Sequence, residues 1–149
     1  MRDLCYIAAP FAPGRGRGVQ ENVRRANKLA AHAVTEGYAP VVVHSAIQDG
    51  VYGDDANPVH RDRGLEICRA LVTAVGDTDG EFWILADSDG EATVISAGVR
   101  AELEAYAETA SIALPQTVRV WAINEAGPQS VLDVIISGAD DLKAVGLLP

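Results

Sequence analysis

The start of the chain constrains the fold most, because strand-like and helix-like segments alternate there around a loop rich in proline and glycine. Residues 4–9 are apolar and predict a short buried strand. Residues 10–18 contain two prolines and three glycines and predict a loop. Residues 19–36 place apolar side chains on one helical face, end at Gly37, and lead into the second predicted strand, 39–44. This order predicts a β–α–β unit with a glycine-rich loop at the carboxyl end of its first strand.

The same alternation continues along the chain, after a polar stretch that is interpreted as a lid or a short irregular helix. The further predicted elements are a helix over 58–75, a strand over 81–86, a helix over 96–111, a strand over 117–124, a helix or a fifth strand over 130–137, and a helix over 139–145. We therefore expect one α/β domain over residues 1–149. Its doubly wound, flavodoxin- or Rossmann-like parallel sheet has four to five strands, helices on both faces, and ligands at the carboxyl ends of its strands.

Composition and spacing exclude several kinds of partner. The chain carries 21 acidic and 12 basic residues, a net charge of −9, which disfavours binding to long nucleic acid. No apolar run approaches the roughly 20 residues of a membrane span, and no signal-peptide pattern is present. Cys5 and Cys68 lack metal-site spacing, and Asp49, Asp54 and Asp55 fit no calcium loop and are interpreted as polar lid residues. We expect a cytoplasmic protein without membrane contact, metal or cofactor.

The basic residues are concentrated in two places. Five of the 12 fall between residues 15 and 28, and three more fall between residues 61 and 69. A solvated helix face accounts for those on the first predicted helix, whereas Arg15 and Arg17 lie in the glycine-rich loop. Because a guanidinium group matches the geometry of phosphate oxygens, these arginines indicate a binding site for a small anion.

The segment 96–102 combines a helix start with an acidic residue. Ser96 is a favoured N-cap residue, and the backbone N–H groups after it form a phosphate site at the positive end of the helix dipole. Gly98 and Glu102 are four residues apart, so the Glu102 carboxylate lies above a position without a side chain. The alternative interpretation of Glu102 is a solvated surface carboxylate. An acid beside an anion site suits chemistry on the sugar of a nucleotide.

Further polar residues follow the predicted strands and are expected at the same edge of the sheet. His44 ends the second strand and is interpreted either as a ligand contact or as a local capping or hydrogen-bonding residue. Asp87 follows the third strand and would alternatively bind Mg²⁺. Phe11 and Tyr52 are candidates for stacking on a base, with a place in a hydrophobic cluster as the alternative for Phe11.

Three segments resemble the nucleoside 2-deoxyribosyltransferase-like superfamily. Residues 5–11, Cys-Tyr-Ile-Ala-Ala-Pro-Phe, resemble its first strand and loop. Residues 22–44 resemble the helix and strand of its phage and bacterial members. The run Ser-x-Gly-Val-x-x-Glu at 96–102 is similar to the nucleophile helix of the nucleoside 5′-monophosphate N-glycosidases. The chain departs from the family at Ala9, where a glycine is usual, and in a longer acidic segment at 88–95.

The resemblance implies a role for each candidate residue. Glu102 is implied as the nucleophile that attacks the anomeric carbon and forms a glycosyl ester. Asp62, with Asp87 as the competing candidate, is implied to assist the ribose or the leaving base. Tyr6 is implied to lie near the sugar, and Ser96 is implied to hold the 5′-phosphate. The other implied substrate contacts are Ala9, Pro10, Phe11, Arg15, Arg17, Gly18, His44 and Gly98.

Three functions follow from these features. The leading expectation is an N-glycoside hydrolase that cleaves the base–sugar bond of a nucleoside 5′-monophosphate, since Ser96 and the loop arginines supply phosphate ligands. The second is a nucleoside deoxyribosyltransferase that acts on unphosphorylated nucleosides. The third is a non-catalytic nucleotide-binding or sensing module. The resemblance also implies a homo-oligomer, a dimer or larger, because active sites of this superfamily often borrow residues from a neighbouring subunit.

Overall fold

A five-stranded sheet forms the centre of the protein in a computed structural model, which describes residues 2–14, 16–88 and 93–149. The strands are β1 Leu4–Ala8, β2 Ala39–Val41, β3 Glu81–Leu85, β4 Asp87–Ser88, β5 Thr93–Val94, β6 Gln116–Asn124 and β7 Gly127–Ile136. Five of them form the sheet in the order β2-β1-β3-β6-β7, and β4 and β5 form a separate antiparallel pair. The chain order reverses around β1, which places the ligand-binding crevice of such a sheet beside the carboxyl end of β1.

Helices cover both faces of the sheet. The helices are α1 Val19–Thr35, α2 His44–Gln48, α3 Pro58–Asp77, α4 Ala97–Ala107 and α5 Ala139–Ala144. On one face, Leu29 of α1 packs with Ile7 and Trp83 of the strands. On the other face, side chains of α3, α4 and α5 form a second core with Tyr6 and Ile84. The alternating side-chain directions of β1 and β3 therefore supply both cores, as expected for strands that are buried on both sides.

The α/β class, the five strands and the helices on both faces agree with the sequence prediction, but the prediction of a wholly parallel sheet is wrong. Strands β1, β2, β3 and β6 are parallel, whereas β7 runs antiparallel to β6. Only residues 125 and 126 separate β6 from β7. So short a connection can reverse the chain but cannot cross over to a parallel neighbour. The ambiguous tail over 130–137 is thus part of a strand.

Local sequence explains most element boundaries. Gly37 adopts a φ of +94°, and the Tyr38 and Gly37 N–H groups donate to the Ala33 and Val34 carbonyls, which closes α1 in a Schellman motif. At the start of α3, the Asn57 side chain accepts a hydrogen bond from the backbone N–H group of Val59. The predicted strand over 39–44 is shorter than expected, because its last residue, His44, already begins α2.

Candidate functional site

A cavity of about 260 Å³ opens at the carboxyl ends of β1 and β2. Its walls come from the loop after β1, from α2, from the connection between α2 and α3, and from the first turns of α3 and α4. The residues that line it are Ala9, Pro10, Phe11, Ala12, Val43, His44, Ile47, Tyr52, Gly53, Asp55, His60, Arg61, Gly64, Leu65, Cys68, Ser96, Ala97, Gly98, Val99 and Glu102. Most of the wall is apolar, and a few polar groups converge on the space, which is the usual pattern of a small-molecule site.

Two buried side chains hold the loop after β1 in place. The side-chain amide of Asn22 donates to the carbonyl oxygens of Phe11, at 3.1 Å, and Ala12, at 3.0 Å. The Nε2 atom of His44 lies 2.8 Å from the carbonyl oxygen of Ala9. Asn22 lies on the buried face of α1 and His44 is the first residue of α2, so two helices fix the backbone of one cavity wall.

Helix α4 begins at the cavity. The Ser96 side chain accepts a hydrogen bond from the Val99 N–H group at 3.3 Å, which confirms Ser96 as the N-cap. Ala97 and Gly98, in the first turn of α4, line the cavity, and an α-helix leaves the N–H groups of its first turn without intrahelical partners. A Cβ atom built on Gly98 would meet no atom within 4 Å, so the space beside Gly98 is open.

Glu102 is the acidic group of the cavity on α4. One of its carboxylate oxygens, Oε2, is buried and has no hydrogen-bond partner among the described residues. Burial raises the pKa of Glu102 to about 7, and the neighbouring Tyr6 hydroxyl opposes this effect. A carboxyl group with a pKa near neutrality is half ionised at physiological pH, a state that suits acid–base or nucleophilic chemistry.

Tyr6 lies beneath Glu102 in the centre of β1. Its hydroxyl lies beside both the Glu102 carboxylate and the Cys68 thiol, although it meets strict hydrogen-bond geometry with no described residue. Burial, together with the Glu102 charge, raises the pKa of Tyr6 far above its usual range. Burial also raises the pKa of Cys68 to about 11, so this thiol is un-ionised and a poor nucleophile. Tyr6 is therefore a neutral donor next to Glu102.

The connection between α2 and α3 closes the opposite side of the cavity. The backbone N–H group of Asp54 donates to Nδ1 of His60 at 2.9 Å, and the guanidinium of Arg63 donates to the Tyr52 carbonyl oxygen at 3.1 Å. Gly53 has a φ of +100°, and a Cβ atom there would come within 2.7 Å of both basic side chains. This wall therefore requires glycine at position 53 and is anchored to α3 by two side chains.

The structure brings eight of the predicted site residues together and places others elsewhere. Those that line the cavity are Ala9, Pro10, Phe11, His44, Tyr52, Ser96, Gly98 and Glu102. Asp62 is exposed on α3 and does not line the cavity. Arg17 lies half-buried in the turn that pairs it with Gly14, and Gly18 is the exposed N-cap residue of α1. Neither lines the cavity. Arg15 and the side chain of Asp87 lie outside the described part of the structure.

The sequence patterns missed several cavity residues on and before α3. Asp55 was interpreted only as a polar lid residue, and Leu65 and Cys68 carry the apolar helical pattern of core residues. His60 carried no distinct signal, since a single polar residue on a helix has no periodicity. Arg61, from the second arginine cluster, also lines the cavity.

The part of the chain that the structure describes contains no cluster of three or more His, Cys, Asp or Glu side chains that could hold a metal ion. In the same described ranges, none of the helices has the length and the apolar character needed to cross a membrane.

Residues 3–114 match DUF7768, a domain of unknown function. The chain belongs to this family. Every residue that lines the cavity falls within the matched range, as do β1, α1 and α4, whereas β6, β7 and α5 follow it. The cavity is therefore built entirely by residues of the DUF7768 domain. No curated protein and no solved structure matches the chain.

Proposed function

We propose that this DUF7768 protein is an N-glycoside hydrolase that cleaves the base–sugar bond of a nucleoside 5′-monophosphate. The observation that carries the proposal is the Glu102 carboxyl group. It lines a cavity at the carboxyl ends of parallel strands, has a buried oxygen that bonds to none of the described residues, and has a pKa of about 7. The resemblance of residues 96–102 to a nucleophile helix supports the same assignment.

Glu102 would act as the nucleophile. Its ionised carboxylate would attack the anomeric carbon, the carbon–nitrogen bond to the base would break, and the base would leave with the bonding electrons and take up a proton. The resulting glycosyl ester on Glu102 would then be hydrolysed by water, which regenerates the carboxylate. The Tyr6 hydroxyl, which favours the ionised form of Glu102, would stabilise the nucleophile before attack and the leaving carboxylate afterwards.

The proton for the departing base requires a second group in the cavity. Asp62 does not line the cavity, which weakens its assignment to this role, whereas Asp55 does line it. We assign the role to Asp55, with Asp87, the first residue of β4, as the competing candidate. Exchange of Asp55 for Asn would then slow departure of the base more than binding of the nucleotide.

The 5′-phosphate would bind at the start of α4. Ser96, Ala97 and Gly98 line the cavity there, and the N–H groups of a helix start bind phosphate well. Arg61 lines the same cavity and offers a guanidinium. Arg15 and Arg17, in the loop after β1, are the further phosphate contacts that the sequence predicts. The phosphate would hold the sugar so that its anomeric carbon lies over Glu102.

The test is incubation of the protein with a panel of ribo- and deoxyribonucleoside 5′-monophosphates and the matching nucleosides, with free base measured by chromatography. Release of base from monophosphates alone is the expected result. Base exchange that occurs only when a second base is added would replace the proposal with a deoxyribosyltransferase. Saturable binding without release from any compound would replace it with a binding module. The homo-oligomer and the cytoplasmic location stay predictions.

A further inference from the structure

His44 holds a hydrogen-bond acceptor in the cavity wall that no described residue uses. Its Nε2 atom lies 2.8 Å from the Ala9 carbonyl oxygen. Because a carbonyl oxygen only accepts, Nε2 must carry the proton and donate. Burial lowers the pKa of His44, so its ring is neutral and Nδ1 carries a lone pair. Nδ1 is buried and has no partner among the described residues.

The surroundings of His44 suit a flat ring with a donor at its edge. The Phe11 ring lies 6.2 Å from the imidazole, tilted by 56°, and both rings line the cavity. Val43 and Ile47, next to His44 in the chain, add apolar walls. An aromatic base would stack here and could satisfy the buried Nδ1 atom by donating a hydrogen bond to it.

A second polar group, Asp55, lies near this wall. Asp55 lines the cavity and, together with Phe11 and Ile47, lines the adjoining pocket as well. The ring nitrogen Nδ1 of the neighbouring His60 already accepts a hydrogen bond from the Asp54 N–H group, whereas Nδ1 of His44 has no partner among the described residues.

We propose, resting on the function proposed above, that His44 selects nucleotides whose base carries an exocyclic amino group. The amino group would donate to Nδ1 of His44, while the Nε2 proton stays on the Ala9 carbonyl. A carbonyl oxygen at the same position of the base would oppose two lone pairs, and the buried Nδ1 would remain unpaired. A site built around a hydrogen bond discriminates strongly against an analogue that lacks the matching group.

Two matched nucleotide pairs test this selection, CMP against UMP and AMP against IMP, because each pair exchanges an amino group for a carbonyl group. kcat/KM is measured from base release with the natural protein, and the dissociation constant is measured by calorimetry with Glu102→Gln. We expect the amino member of at least one pair to be preferred by about tenfold or more in both measurements. In His44→Phe the ratio should fall towards one, while Glu104→Gln, on the exposed face of α4, should keep the natural ratio.

The outcomes separate the two proposals. Amino preference in binding without any base release would keep His44 as the selecting residue and reject the hydrolase. Base release with equal rates within both pairs would keep the hydrolase and reject the role of His44. A ribose-against-deoxyribose preference that depends on His44, without amino preference, would also reject it. If His44→Phe does not fold, His44→Leu, which also lacks an acceptor, takes its place, and an unchanged ratio in that variant would contradict the proposal.

Discussion

Glu81 and Glu102 lie at opposite ends of the sheet, and their carboxylates differ in the hydrogen bonds that they accept. Glu81 begins β3, and its carboxylate accepts hydrogen bonds from the Tyr38 hydroxyl at 2.6 Å, the Trp83 indole at 2.9 Å and the Arg119 guanidinium at 2.7 Å. At the carboxyl ends of the strands, the buried Oε2 atom of Glu102 has no hydrogen-bond partner among the described residues, although the Tyr6 hydroxyl lies beside the carboxylate. The first carboxylate accepts three hydrogen bonds, whereas one oxygen of the second accepts none from the described residues.

This difference indicates that the two carboxylates have different roles. A largely buried carboxylate with a full set of donors joins its neighbours and stabilises the fold, and here one group links β3, β6 and the residue before β2. A buried carboxylate with an oxygen that accepts no hydrogen bond lowers stability, because the ionised form loses its solvation. Such a group lies in the cavity and not at the closed end of the sheet, which is where a ligand could compensate it.

The largest expected effect on stability comes from Glu81. Glu81→Gln removes the charge that pairs with Arg119 and leaves at least one of the three donors without an acceptor, so we expect the free energy of unfolding to fall by about 3 kcal/mol. Urea unfolding, followed by tryptophan fluorescence, measures the change. Tyr38→Phe, which removes one hydrogen bond, should lower it by only about 1 kcal/mol. Equal urea midpoints for the Gln variant and the natural protein would show that the Glu81 cluster is not structural.

In contrast to Glu81→Gln, Glu102→Gln should raise the free energy of unfolding. The folded-state pKa of Glu102 lies near 7 and the ordinary value is 4.5, so the folded protein binds this proton more tightly and loses stability as the pH rises through that interval. The neutral amide does not titrate. Relative to the natural protein, the variant should therefore gain up to about 2 kcal/mol of unfolding free energy between pH 5.5 and pH 8.

Glu104→Gln is the matched control for this titration, since Glu104 lies on the same helix and is exposed. Its stability should follow that of the natural protein across the same pH range. If the Glu102 variant also follows the natural protein, the Glu102 carboxyl group is not desolvated and the contrast with Glu81 disappears.

A smaller effect concerns the rate at different pH values. If ionised Glu102 is the nucleophile, kcat/KM for base release should rise with pH and level off above an apparent pKa of about 7. Tyr6→Phe removes a hydroxyl that favours the ionised form, so the rising limb should move to higher pH by the equivalent of about 1 kcal/mol. If kcat/KM is the same from pH 5 to pH 9, the rate does not depend on the ionisation of Glu102.

The sequence predicted the parts of the fold that depend on local periodicity and punctuation. The first helix, with Gly37 as its stop, and the strand starting near Thr117 lie close to their predicted positions. Strand β7 was ambiguous, because the spacing of its apolar residues fits both a helix and a strand and half of its residues are exposed. Its antiparallel direction follows from a two-residue turn at 125–126, which the residue pattern did not single out as a turn.

Cavity residues in a loop or at the start of a helix could be predicted from the sequence, whereas those on the face of a helix could not. Ser96, Gly98 and Glu102 form a motif with fixed spacing, and all three line the cavity. Cys68 has the same apolar helical pattern as the core residue Val72, and only packing of α3 beside β1 decides that Cys68 contacts the cavity. Asp62 was assigned by resemblance, and the helical phase of α3 directs it away from the cavity to the exposed surface.

The most direct test of the central claim is the rate of base release by Glu102→Gln, with the monophosphate that the natural protein cleaves best, beside Glu104→Gln. Circular dichroism and urea unfolding would show that both variants are folded. If the Glu102 carboxylate is the reacting group, its variant should lose at least about a thousandfold in kcat, while the Glu104 variant stays within about twofold of the natural rate. A folded Glu102→Gln protein that releases base at the natural rate would contradict the account.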